Sequence, residues 1–267
     1  MKNKIGFCNL TWNPVWGCKN NCRYCYARTF AKRFGSVMAM DEYFSHYWGN
    51  KRIAKGINKA EVERMSESLR EFKPTFLYGQ YFKKFPKKPQ RIFIGSMSEI
   101  YYWEKEWMEK VLYRVKEYPQ HTFIFLSKHP EVYARWSFPS NCWLGITITR
   151  NAKDGEPDRW DIWQFKGDNI NNLKFYCFEP LLEAMKLQYY HHLEGIGWVI
   201  IGAETGSREG KVIPKLEWLI DIVEQCRMKK IPVYLKDSIL TTFPELVNEY
   251  PTFHKFPGWY ENWKGIE

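Results

Sequence analysis

Trp198-Val-Ile-Ile-Gly-Ala-Glu204 is the stretch on which the fold turns. Its first four residues are all aromatic or β-branched, types that fit a pleated strand. They run without polar alternation, as in a strand buried on both faces of a parallel sheet. Runs of the same build recur: Arg91-Ile-Phe-Ile-Gly-Ser96, Thr122-Phe-Ile-Phe-Leu-Ser127, Trp143-Leu-Gly-Ile-Thr-Ile-Thr149, Lys174-Phe-Tyr-Cys-Phe-Glu179 and Ile231-Pro-Val-Tyr-Leu-Lys236. Amphipathic stretches lie between them. Glu104 to Tyr118 carries Trp107, Val111, Leu112 and Val115 on one stripe and stops at Pro119; Leu216 to Lys229 does the same with Leu216, Leu219, Ile220, Val223 and Cys226. With an N-terminal strand near Ile5 to Leu10 and a first helix over Arg23 to Phe34, about seven βα units result. The class is α/β, and the simplest architecture is a TIM-like (β/α) barrel, complete or partly open, in one domain over residues 1–267.

Residues 36–90 break the repeat and read as an insertion after the first βα unit. They hold the aromatics Tyr43, Phe44, Tyr47 and Trp48, a helix candidate over Lys59 to Phe72, and a basic stretch. Net charge is +10 over 267 residues, but residues 1–91 carry 19 Lys/Arg against 6 Asp/Glu, so the positive field belongs to the first third. Within it Lys83, Lys84, Lys87, Lys88 and Arg91 interleave with Tyr81, Phe82 and Phe85, a composition that neutralises phosphates and stacks on bases. The same pattern also describes a solvated basic loop whose rings pack on the fold. No apolar run reaches the ~20 residues that span a bilayer, and Met-Lys-Asn-Lys-Ile lacks a signal core. A cytoplasmic protein without membrane contact is expected.

Gly17-Cys-Lys-Asn-Asn-Cys-Arg-Tyr-Cys-Tyr26 holds three of the seven cysteines, spaced C-x3-C-x2-C. Cys8, Cys142, Cys177 and Cys226 stand singly and read as buried small hydrophobes of a reduced protein. A closed structural zinc site needs four ligands, and the six histidines, His46, His121, His129, His191, His192 and His254, offer no partner at ligand spacing. A [4Fe–4S] cluster on three thiolates leaves one iron open for a chelating molecule, which gives the number three a chemical reason. Zinc remains the alternative.

The C-x3-C-x2-C spacing, with an aromatic residue before the last cysteine and a strand before the loop, resembles the cluster motif of the radical S-adenosylmethionine superfamily. That resemblance implies a full or partial TIM-like barrel, with Cys18, Cys22 and Cys25 binding a [4Fe–4S] cluster. It also implies S-adenosylmethionine on the open iron, cleaved to methionine and a 5′-deoxyadenosyl radical, and a reductant of flavodoxin or ferredoxin type. The wider chain is similar to a family of phage-associated and bacterial proteins of unknown function, written phage protein Gp37/Gp68. The similarity lies in Thr11-Trp-Asn-Pro, Cys25-Tyr-Ala, Arg91-Ile-Phe-Ile-Gly-Ser-Met-Ser98, Phe178-Glu-Pro-Leu-Leu182 and Trp198-Val-Ile-Ile-Gly-Ala-Glu-Thr-Gly206. The Cys18–Cys22 loop is shorter than in many members, and Leu126-Ser-Lys-His-Pro130 stands where Thr-Lys-Arg-Pro is more usual.

By position, the resemblance assigns Ser96 and Ser98 to the methionyl amino group, Thr147 and Thr149 to the ribose, and Tyr24 to the adenine. Glu179 and Glu204 become acceptors for hydroxyls or a substrate donor, and Lys128 or Lys236 a partner for a carboxylate or phosphate. No catalytic residue is assigned. The expected function is a radical S-adenosylmethionine enzyme, with the basic asymmetry tilting the substrate class toward DNA or RNA, through base modification or repair, and peptide or small-molecule substrates left open. The alternative is a non-enzymatic nucleic-acid-binding protein with a structural zinc or iron–sulfur site. Gly206-Ser-Arg-Glu-Gly-Lys-Val212 is one residue short of a phosphate-binding loop and lacks its Ser/Thr. His191-His192-Leu-Glu194 has no second pair to complete a metal site.

Overall fold

A computed structural model of the chain describes residues 5–48, 59–152, 171–187 and 193–246, together with Pro257. The fold is α/β. Seven strands form one sheet in the order β1 (Leu10–Trp12), β4 (Arg91–Ile94), β5 (Thr122–Ser127), β6 (Cys142–Thr147), β7 (Leu173–Phe178), β8 (Ile196–Ile201) and β9 (Val233–Leu235), each described pairing parallel. A short antiparallel pair, β2 (Val15–Trp16) with β3 (Thr75–Phe76), stands apart. The chain divides into two compact units, Cys8–Leu126 and Ser127–Glu267 with Met1–Phe7.

In the second unit, Phe175 to Phe178 of β7 and Trp198 to Ile201 of β8 are all buried, as runs without polar alternation require. Gly145 of β6 pairs in register with Phe175, and a Cβ there would lie 2.2 Å from the Phe175 ring, so the glycine makes room for the aromatic core. Helix α5 (Leu216–Met228) buries Leu219, Ile222, Val223 and Cys226. Its stripe is rotated from the expected one, with Ile222 inside where Ile220 was placed. In the first unit, α4 (Lys105–Lys116) buries Met108, Val111, Leu112 and Val115, with Met108 taking the place assigned to Trp107.

Two expectations fail at their boundaries. The N-terminal strand starts at Leu10, because Gly6 adopts φ +85° and turns the chain before any strand can begin. The first helix does not end near Phe34: α1 runs Tyr26–Trp48, so an insertion that starts at residue 36 has its boundary inside a helix. Gly35 is the reason. A Cβ there would lie 2.9 Å from the backbone N of Arg70, where α2 (Lys59–Arg70) crosses. Ala27, Ala31, Gly35 and Ala39, spaced by four, form the narrow face that lets the helices approach. Leu69, Val62 and Phe72 pack into the same cluster. Two short helices, α3 (Tyr78–Tyr81) and α6 (Asp237–Leu240), complete the regular structure.

Candidate metal centre and strand-end groups

The three cysteines occupy the turn that leads into α1. All are free thiols and half-buried, whereas Cys8, Cys142, Cys177 and Cys226 are buried, as expected of packing residues. Two of the three sulfurs already accept backbone hydrogen bonds: Asn20 N–H donates to Cys18 Sγ at 3.2 Å and Arg28 N–H to Cys25 Sγ at 3.4 Å. Cys25 N–H in turn donates to the Cys22 carbonyl at 3.1 Å. Burial pushes the Cys18 thiol up to about 12, and the nearby Glu99, Cys25 and Cys22 add to the shift while Asn20 opposes it. Tyr24 is half-buried in the turn before Cys25.

The base of the loop is clamped. Gly17 N–H donates to Met97 O at 3.0 Å, Cys18 N–H donates to Phe72 O at 2.9 Å, and Gly17 bridges to Ser98. Gly17 has φ +100°, and a Cβ on it would lie 2.0 Å from Lys73 O, so only glycine fits. Ser96 Oγ donates to Asn13 Oδ1 at 3.0 Å, and Ser98 Oγ accepts from Trp103 Nε1 at 3.1 Å. Both proposed amino-group acceptors therefore stand beside the cysteine loop with partners of their own.

Three residues around the loop escaped the sequence. The Arg28 guanidinium donates to the Cys18 and Asn20 carbonyls at 3.3 and 2.9 Å and lies over the Phe72 ring at 5.2 Å. Its Nε is buried with no hydrogen-bond partner. Tyr102 OH donates to Asn20 Oδ1 at 2.8 Å, and Asn13 Oδ1 receives Met97 N–H at 3.3 Å as well as Ser96. Arg28 falls one helical turn after Cys25, and that spacing is the signal that could have found it.

A [4Fe–4S] cluster takes three soft thiolates and is tuned by hydrogen bonds to sulfur. The donor set meets this: three thiols from one loop, none in a disulfide, two with N–H groups aimed at them. Among the described residues no group of three or more His, Cys, Asp or Glu side chains stands ready to hold a metal ion. A metal or cluster held there would need the sulfurs drawn together and all three thiols deprotonated. Of the histidines, His121 accepts from Gln90 N–H and His129 pairs with Glu131; the side chain of His46, with His191, His192 and His254, lies outside the described residues.

In the second unit, Lys236 pairs with Glu179 at the ends of β9 and β7. Gly202 makes the space, since a Cβ there would meet Glu179 Cγ and Lys236 Cδ at 3.0 Å. Cys177 lies against Glu179 at 3.8 Å, and its thiol is pushed up by burial and then by the Glu179 charge, with Lys236 and Lys128 opposing. Thr147 is buried at the end of β6, and Thr149, two residues on, accepts Leu182 N–H through its carbonyl at 3.2 Å. Glu204 serves the chain itself: Arg208 Nε and Nη2 donate to its two oxygens at 2.6 and 2.9 Å. This fork closes the glycine-rich Gly206–Lys211 loop on itself.

The basic stretch divides its aromatics. Tyr81 and Phe85 turn inward and, with Trp12 and Tyr118, box the Arg114 guanidinium at 5.1 to 5.7 Å. Arg114 donates to the Tyr81 and Lys83 carbonyls. Only Phe82 faces solvent, at 64% exposure, beside the exposed Lys83, Lys84, Lys87 and Lys88; Arg91 is half-buried on β4. The packed-ring reading is right for two of the three aromatics, and stacking on bases is left to Phe82.

A family profile described as protein of unknown function, DUF5131, matches residues 2–239. The chain belongs to the DUF5131 family. No curated protein matches it, and no solved structure does. The DUF5131 match takes in the cysteine loop, its clamp and the Glu179–Lys236 pair alike. Among the described residues, no helix is long and apolar enough to cross a membrane.

Proposed function

We propose that this DUF5131 protein is a radical S-adenosylmethionine enzyme on a partly open TIM-like barrel, kin to the phage Gp37/Gp68 proteins. One observation carries the reading: three half-buried free thiols, spaced C-x3-C-x2-C, follow the first parallel strand and precede its helix, two of them receiving backbone N–H groups. Cys18, Cys22 and Cys25 would hold a [4Fe–4S] cluster. With S-adenosylmethionine bound, that group supplies one-electron cleavage of the sulfonium and hydrogen abstraction from a substrate. The chain's own residues orient and shield. Arg28 and Tyr102 hold the loop in shape, and Gly17 anchors it. Ser96, Ser98 and Tyr24, beside the cysteine loop, stand as the cofactor contacts. Glu204 acts through the loop it closes with Arg208. The substrate reading is DNA or RNA, supported by the four exposed lysines of residues 83–88 and by Phe82.

The test is anaerobic reconstitution and an assay for 5′-deoxyadenosine under strong reductant, repeated with Cys22→Ala. Near four irons per chain and cofactor cleavage that the substitution abolishes are expected. About one zinc per chain, no iron and no cleavage would instead establish the non-enzymatic reading. Binding of single-stranded DNA or RNA that weakens steeply with salt is expected of the lysine stretch. Binding unaffected by salt refutes its phosphate role.

A further inference from the structure

Glu179, Gly202 and Lys236 stand in one row across the sheet. Phe178 pairs in register with Ile201 and Ile201 with Leu235, so the three are the next residues along β7, β8 and β9. Gly202 N–H to Phe178 O and Lys236 N–H to Ile201 O, both 2.9 Å, carry the ladder up to the row. Glu179 and Lys236 therefore start two strand spacings apart, about 10 Å. Their side chains meet over Gly202, the one residue between them that has none. The ion pair closes the C-terminal edge of three parallel strands, the edge at which such sheets bind ligands. The whole row lies within the unit of Ser127–Glu267 with Met1–Phe7.

Beneath the pair the layer is aromatic. Lys236 Nζ lies 5.6 Å from the Phe7 ring centroid, and Phe7 packs on Trp198 at 6.0 Å, which in turn meets Phe175 at 5.4 Å and Tyr234 at 6.4 Å. Side-chain exposure is 14% for Lys236 and 26% for Glu179. A pair so enclosed adds little stability over apolar side chains, but removing one member alone strands a charge. That asymmetry selects the ligand. A phosphate or carboxylate could take Lys236 only by leaving Glu179 beside a second anion, and a cation would strand Lys236. A ligand that parts the two must bring an acceptor for the ammonium and a donor for the carboxylate, side by side.

A trans peptide cannot, because its N–H and C=O point to opposite sides. A ring lactam can. Guanine, uracil and thymine each carry a ring N–H next to a carbonyl on one edge, and that N–H is a more acidic, hence stronger, donor to a carboxylate than the amine of adenine or cytosine. We infer that the Glu179–Lys236 pair recognises a lactam base of the substrate, Glu179 accepting the ring N–H and Lys236 donating to the carbonyl. The choice of a base rests on the nucleic-acid reading above. Base recognition then belongs to the strand ends, and phosphate contact to the lysines of residues 83–88.

Ligand-observed NMR on the full chain, before reconstitution, compares inosine, 1-methylinosine, uridine, 3-methyluridine, adenosine and inorganic phosphate at millimolar concentration. The proteins are the wild type, Glu179→Leu/Lys236→Met and Gly202→Ala. The double substitution removes both charges together and leaves neither alone, and an unchanged thermal midpoint checks the fold. Should it fail to fold, Gly202→Ala gives the reading without altering a charge, since its Cβ would press on Glu179 Cγ and Lys236 Cδ at 3.0 Å. Inosine or uridine should bind at least tenfold more tightly than its N-methylated form and than adenosine, and phosphate should not displace it. Either variant should abolish the difference. No nucleoside binding, equal binding of methylated and unmethylated forms, displacement by phosphate, or folded variants that bind as the wild type does each overturn the inference. Failure to take up iron or cleave the cofactor sinks the radical reading and leaves this result as it stands, because no cluster is needed. Lactam nucleosides that bind while single-stranded DNA and RNA do not would keep the site and remove the polymer.

Discussion

Gly17→Ala is the sharpest test of how the cysteine loop is held. The new Cβ would sit 2.0 Å from Lys73 O and 2.2 Å from Lys73 C, at a residue with φ +100°. Adopting a positive φ costs an alanine about 1–2 kcal/mol. Relieving the contact means moving the strand apart from residues 72–74, which breaks the Cys18 N–H to Phe72 O bond and loosens Gly17 N–H to Met97 O. Each is worth about 1 kcal/mol net. The total, about 3–4 kcal/mol, is a large part of the ~5–15 kcal/mol that holds a domain. Urea unfolding followed by tryptophan fluorescence should show the midpoint falling by about 1 M or more. Gly206→Ala is the control, because φ there is +91° with nothing within 4 Å of the added carbon. It should lose only the backbone part. Equal shifts in the two variants would refute the claim that Lys73 crowds the loop.

If the loop holds the proposed cluster, Arg28→Ala should lower iron retained after desalting at least several-fold, while Arg28→Lys, shorter and without the planar guanidinium over Phe72, falls between; electron paramagnetic resonance of the reconstituted protein reads the change. Arg208 holds the Glu204 carboxyl below its ordinary value, chiefly by its hydrogen bonds. A carboxylate with a depressed folded pKa adds stability above the unfolded value and loses it as pH falls through the folded one. The thermal midpoint of the wild type should therefore drop more steeply below about pH 4.5 than that of Glu204→Gln. In the native metal-free protein a thiol reagent should modify Cys22 and Cys25 first and Cys18 more slowly, because burial holds its proton, with Cys8, Cys142, Cys177 and Cys226 reacting only on unfolding; early reaction of any of these four contradicts the packing.

Most strands were legible because double-sided burial writes itself as unbroken β-branched and aromatic runs, and six of these runs coincide with strands to within a few residues. What failed was whatever depended on a neighbour. Gly35 looks like the end of a helix in isolation and is instead the crossing point of two. Tyr81 and Phe85 look like a stacking surface until Arg114, some thirty residues on, claims them. Met108 and Ile222 displaced the expected Trp107 and Ile220 because the stripe a helix buries is set by what lies under it. At the candidate site, the grouping of the three cysteines was legible from spacing alone, since all of them lie in one loop. Arg28, Asn13 and Tyr102 were not, since their role exists only once Phe72, Ser96 and Asn20 are brought to them. Glu204 was read as open to a ligand, and its partner four residues away was in plain view.

The box around Arg114 divides labour between residues. The path of the basic loop is set by a guanidinium that reaches backbone carbonyls and by rings that face inward. The side chains of Lys83, Lys84, Lys87 and Lys88 stand exposed and carry charge instead. Shape and charge are thus written in different letters: the lysines are open to replacement one by one, retuning what the surface attracts, while the loop keeps its course.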